Sequence, residues 1–181
     1  AHGVVRRNPG LTRILYDQLS GLASSRFQRY FLVVMNMKLC IITRADTRRK
    51  PPVDAIWGPL CERCDADIRM LTKEQMLALP RSVNPDDFAP YDRVLVDLTF
   101  RYIRRHARFL RQIPNVCIFE QDAYQDFLPR HRMRGAFRKF YRLAQPHCVM
   151  VTGHRHALAF RELGINAHFV SKGYAHDQVW E

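Results

Sequence analysis

Residues 147–174, HCVMVTGHRHALAFRELGINAHFVSKGY, restrict the fold more than any other stretch: they read as strand, tight turn, short helix and second strand in unbroken succession. Val149, Met150 and Val151 form an apolar run ending at Thr152 and Gly153. The helix that follows carries Ala157, Phe160 and Leu163 on one face. Gly164 stands where a helix end calls for a residue that tolerates positive φ. The next run, residues 167–170, is short, apolar and bounded by Lys172 and Gly173, as expected of a buried parallel strand that stops at a functional edge. Such a βαβ unit demands a parallel sheet, so the upstream sequence is read for earlier turns of the same winding.

It supplies them. Strands are predicted at 39–44, 67–71, 93–98 and 116–119 from their apolar, β-branched runs and the turn residues around them. A short helix fits 53–64, bent or ended at Gly58-Pro59, and a brief helical turn fits 73–80, with 81–92 as a loop. One helix is predicted over 101–112, with Phe100, Ile103, Ala107, Leu110 and Ile113 toward the core and Pro114 as its stop. After a polar loop at 120–129, one more helix is predicted over 131–144, turning Met133, Ala136, Phe137, Phe140, Tyr141 and Ala144 inward. Five to six short strands alternating with helices predict an open, mostly parallel α/β sheet with helices on both faces and right-handed crossovers.

At 181 residues and 47% hydrophobic, the chain is long and apolar enough for one sizeable core, placed at 37–181. Residues 1–36 stand apart, with Arg6, Arg7, Arg13, Arg26 and Arg29 against Asp17 alone and helical spacing at Leu11, Ile14, Leu15, Leu19 and Leu22. They read as a basic amphipathic appendage or, because Met35 and Met37 precede the first strand as a translation start would, as upstream read-through. No run of eighteen apolar residues is present to span a bilayer. Five cysteines, with Cys40, Cys117 and Cys148 inside apolar runs, argue for a reducing compartment rather than a disulfide framework. Cys61 and Cys64 form a C-x-x-C, but a structural zinc would need a second pair of ligands nearby and the sequence offers none.

In open parallel sheets, ligands bind outside the carboxyl ends of the strands. The residues expected there are Arg44 and Asp46, Thr99, Glu120 with Gln121, Asp122 and Tyr124, Gly153 with His154, and Lys172 with Gly173. Acids, a histidine and cations around one crevice suit a polar ligand. His154 and His156 alternate in a turn entering a helix and do not share a face, so no metal is expected there. The sequence holds no G-x-G-x-x-G, no phosphate-binding G-x-x-x-x-G-K-[ST] and no G-x-S-x-G, which removes the main support for dinucleotide, P-loop and serine-hydrolase chemistry.

Lys and Arg outnumber Asp and Glu by 29 to 17, leaving a formal charge of +12 that favours an anionic partner. Residues 101–142 concentrate it, with eleven Lys or Arg against three acids. Arg101, Arg104, Arg105, Arg108, Arg134, Arg138 and Lys139 are the candidates for docking on an anionic membrane surface, with a solvated helix face as the alternative. Nucleic acid is the rival partner, but the aromatics of these segments fall on the apolar faces, where the core needs them.

FEQDAY after the fourth strand and VMVTGHRHALAFRELGINAHFVSKGY together resemble the acceptor-side half of retaining GT-B glycosyltransferases of the family 4 type. The resemblance covers roughly residues 37–181 and is most specific at the exit, Phe169 to Tyr174. It implies a Rossmann-like domain forming one half of a GT-B fold, acting from the cytoplasmic side on a sugar or lipid-linked acceptor. By the same resemblance, Asp122 stands closest to the family's position near the acceptor hydroxyl, with Glu120 as the fallback. For Asp122 the plain alternative is a side-chain cap on the following turn. Two departures matter. A basic loop replaces the family's glycine pair after the first strand, and the nucleotide-sugar domain with its E-x-x-x-x-x-x-x-E element would begin where this sequence ends. The resemblance therefore implies no cofactor held by this chain, and turnover only with a donor domain.

Overall fold

The computed structural model describes residues 37–45, 57–58, 60–61 and 63–170. Asp46, Lys172, Gly173 and the appendage at 1–36 lie outside them. The strands are β1 (Lys38–Arg44), β2 (Asp65–Leu71), β3 (Arg93–Asp97), β4 (Val116–Glu120), β5 (Cys148–Val151) and β6 (Ala167–Phe169). They form a single parallel sheet in the order β2-β1-β3-β4-β5-β6. This is an open α/β sheet of Rossmann-like architecture. The winding reverses between β1 and β3, where successive connections leave in opposite directions, and a ligand crevice belongs at that point.

The central strands β1, β3 and β4 bury both faces, while the edge strands β2 and β6 are largely half-buried or exposed. Cys40, Ile42, Val94, Val96, Val116, Ile118, Val149 and Val151 meet the first core, with Phe88, Phe100, Phe137, Phe140, Tyr141 and Phe160. Leu39, Ile41, Leu95, Cys117 and Phe119 alternate onto the opposite face, where Trp57 and Cys64 pack on them. Two-sided burial explains why the strands are near-continuous apolar runs rather than alternating ones. The described part of the β1–β2 connection, with Trp57 and Cys64, lies on the second face, while the connections that move the other way along the sheet cover the first. Opposite direction and opposite face together give all crossovers the same hand, in keeping with the rule for parallel units.

The first face is covered by α1 (Lys73–Leu77), α2 (Leu79–Ser82), α3 (Phe100–Ile103), α4 (Ala107–Leu110), α5 (Ala136–Ala144) and α6 (His154–Glu162). The segment expected as a loop at 81–92 contains a 3-10 turn, Pro85–Phe88, that drives Phe88 fully into the core. The single helix expected over 101–112 is instead two one-turn helices, α3 and α4, separated at Arg104–His106. Arg101, Arg104, Arg105 and Arg108 would line up at i, i+3, i+4 and i+7 in a continuous helix, a mutually repelling row. The break brings the His106 ring to the Leu77 carbonyl at 2.8 Å. Phe100, Ile103, Ala107, Leu110 and Ile113 still reach the core, as their spacing requires.

The helix expected over 131–144 likewise begins only at Ala136. Gly135 precedes it at φ 75°, a conformation open to glycine, and the buried carboxylate of Asp126 accepts from the Phe137 N–H at 2.9 Å. A residue ten positions before the helix thus supplies the cap. Gly164 has φ 76°, and the Ile165 N–H closes the end of α6 by donating to the Phe160 carbonyl, as the opening sequence stretch predicts.

Candidate functional site

The carboxyl edge of the sheet holds two polar groupings, one on each face. On the second face Thr43, the last residue but one of β1, and Asp97, the last of β3, are register partners across the reversal of winding. Thr43 Oγ1 and Trp57 Nε1 both donate to Asp97 Oδ2, at 3.3 and 3.1 Å. All three side chains are buried, and the indole stands edge-on to Phe119 with ring centres 5.4 Å apart. A carboxylate buried at a topological switch point and fixed by side-chain donors from two other segments is a rigid polar anchor between the ends of β1 and β3.

On the first face β4 ends in Glu120, which is 6% exposed. Its Oε1 accepts from the Asp122 backbone N–H at 2.9 Å. Burial pushes the Glu120 carboxyl up to about 8; the Asp122 N–H opposes this, and the charges of Asp122 and Asp97 add to it. At neutral pH the group is therefore mostly a neutral acid. Beneath it the Tyr141 hydroxyl is buried without a hydrogen-bond partner among the described residues, and burial raises its pKa well above the ordinary value.

The rim around Asp122 is aromatic and open. Asp122 is exposed, and its side chain makes no cap to the 3-10 turn Ala123–Asp126 that it precedes. Tyr124, 43% exposed, lies beside His156, which stacks on Phe127 with ring centres 5.6 Å apart. His154 meets Phe169 edge-on at 5.8 Å. Gly153 enters α6 with extended backbone, so its role is space: a Cβ there would collide with the His156 ring. Thr152 Oγ1 donates to the Gln121 carbonyl at 3.5 Å and ties the ends of β4 and β5 together.

Glu120, Gln121, Asp122, Tyr124, Gly153 and His154 thus gather at neighbouring strand ends, as expected from sequence. Arg44 ends β1 and Thr99 lies two residues past β3, at the start of α3, but among the described residues no hydrogen bond joins them to either grouping. Sequence reading passed over Thr43, Trp57 and Asp97. The usable signal was a charged residue ending an otherwise apolar strand, RVLVD, since an acid at that place must find donors or face the crevice. Among the described residues no group of three or more His, Cys, Asp or Glu could hold a metal ion.

The cationic side chains divide into two kinds. Arg101, Arg104, Arg105, Arg108, Arg134 and Lys139 are exposed. Arg138 is bound internally: its Nε donates to Asp126 Oδ2 at 2.6 Å, its guanidinium lies 5.5 Å from the centre of the Phe127 ring, and Asp126 is fully buried. Arg138 therefore serves the α5 cap, which the sequence pattern had placed on a docking face. Compared with protein-family models, with curated proteins and with solved structures, the chain gives no match.

Proposed function

We propose that this chain is the acceptor-binding half of a glycosyltransferase that moves a sugar from a nucleotide-sugar to a cell-envelope or lipid-linked acceptor. The observation that carries the reading is the rim at the end of β4: an exposed carboxylate, Asp122, whose backbone is pinned by a buried neutral acid, with Tyr124 open beside it. Exposed aromatic faces suit sugar rings, and a carboxylate within hydrogen-bond reach orients an acceptor hydroxyl. In the transfer, the bond from the sugar carbon to the donor phosphate breaks and the bond to the acceptor oxygen forms. The acceptor proton passes to Asp122. Glu120 is a positioning residue in this scheme, and Asp97 with Thr43 and Trp57 stiffens the crevice wall. The donor would be held by a second domain. The test is transfer by the enzyme that carries this domain: Asp122→Asn lowers turnover and leaves nucleotide-sugar affinity unchanged, and unaltered turnover removes Asp122 from the mechanism.

The exposed arginines of α3 and α4, with Arg134 and Lys139, support peripheral attachment to an anionic, cytoplasmic leaflet, where a lipid-linked acceptor would be met. Among the described residues no helix is long and apolar enough to cross a membrane. The same arginines favour a second reading, a non-enzymatic α/β module that binds anionic lipid or nucleic acid. Flotation with anionic vesicles, set beside binding to duplex and single-stranded nucleic acid at physiological salt, separates them. Nucleic-acid binding without flotation overturns the membrane attachment.

A further inference from the structure

At the opposite, amino-terminal edge of the sheet, Cys117 and Cys148 are direct register partners on the adjacent parallel strands β4 and β5. Both side chains belong to the second face, Cys117 within its core and Cys148 at its margin, half-buried. Partners on neighbouring strands are roughly 4.8 Å apart, inside the range of Cα separations found in disulfides. Arg93, at the start of β3, lies close enough to both thiols to stabilise negative charge on either. A half-buried sulfur beside a cation, with a second sulfur directly across, meets the conditions for a reactive thiol with a resolving partner.

We infer that Cys117 and Cys148 form a reversible two-thiol redox site that small hydroperoxides convert to an intramolecular disulfide. The Cys148 thiolate attacks the peroxide, the O–O bond breaks, and an alcohol or water leaves, giving a sulfenic acid on Cys148. The Cys117 sulfur then attacks the Cys148 sulfur and expels water as the disulfide closes. Two thiols lose two electrons and two protons, and the peroxide is reduced by the same two electrons. The order of attack follows from exposure and surroundings: Cys148 is half-buried at the margin of the core and is held below the ordinary thiol range by the neighbouring Cys117 sulfur and by Arg93, whereas Cys117, inside the core with its thiol turned to the Asn115 carbonyl at 3.8 Å, is pushed above it by Cys148 and by burial, against the lowering effect of Arg93. Burial raises both Cys40, to about 12, and Cys64, which leaves them poor competitors. The site lies at the opposite edge from the β4 rim and does not depend on the reading given to that rim.

The test uses the full chain. After brief treatment with stoichiometric hydrogen peroxide, the intact mass should fall by two hydrogens, peptide mapping should join Cys117 to Cys148, and a dithiol should reverse both. Before oxidation, Cys148 should be alkylated at neutral pH roughly tenfold faster than Cys64. Cys117→Ala should let dimedone trap the sulfenic acid on Cys148, with circular dichroism confirming the fold. A disulfide joining only Cys61 to Cys64, or over-oxidation of Cys148 in the unaltered chain without any cross-link, overturns the inference.

Discussion

The indole Nε1 of Trp57 donates to Oδ2 of Asp97 at 3.1 Å, binding the β1–β2 connection to the end of β3 at the point where the sheet reverses its winding. Asp97→Ala leaves this indole N–H and the Thr43 hydroxyl without their shared acceptor inside the protein. The expected loss is about 2 kcal/mol in urea unfolding, larger than for Asp97→Asn, which keeps an acceptor oxygen. Equal losses for the two substitutions would mean that the donors find other partners.

Glu120 sets a pH dependence of stability. Its carboxyl titrates near 4.5 when unfolded and is pushed up to about 8 when folded, chiefly by burial. Between these values the folded chain binds the extra proton, so stability falls as pH rises through the window and levels off above it, with a slope of up to about 1.4 kcal/mol per pH unit. Glu120→Gln should flatten that slope while keeping an oxygen to accept the Asp122 N–H. Urea midpoints of both proteins across the window measure the difference, and parallel curves would place the titration elsewhere.

Arg138 and the arginines of α3 and α4 should separate by assay. Arg138→Ala strips a buried carboxylate of its ion-pair partner, so its effect is on folding, about 2 kcal/mol with the backbone cap on Asp126 retained. Arg104, Arg105 and Arg108 changed together to Ala should leave unfolding nearly unaltered and weaken binding to anionic vesicles by roughly 100-fold, at about 1 kcal/mol for each charge. Vesicle binding unchanged in the triple variant would mark these arginines as a solvated face.

Much of the fold was legible because two-sided burial writes itself into sequence. The apolar runs at β1, β3, β4 and β5 and the glycine after α6 needed no tertiary information. The helices were less legible. The pattern from Phe100 to Ile113 fixed which residues are buried, yet the backbone breaks between α3 and α4, where burial periodicity is blind to a tertiary contact such as that of His106 with the Leu77 carbonyl. At the site, Asp122 and Glu120 stood out as acids after a strand, while Asp97 was hidden inside one. Asp126 was hidden further still, since its partners, Phe137 and Arg138, are reached only once the chain has turned at Gly135.

In the proposed function, the β4 rim orients an acceptor hydroxyl through Asp122. The most direct measurement is the turnover number for sugar transfer by the enzyme bearing this domain, for the unaltered protein and for Asp122→Asn, with nucleotide-sugar affinity measured in parallel. A fall of roughly 100-fold in turnover with unchanged nucleotide-sugar affinity is predicted. Equal turnover in the two proteins would contradict it.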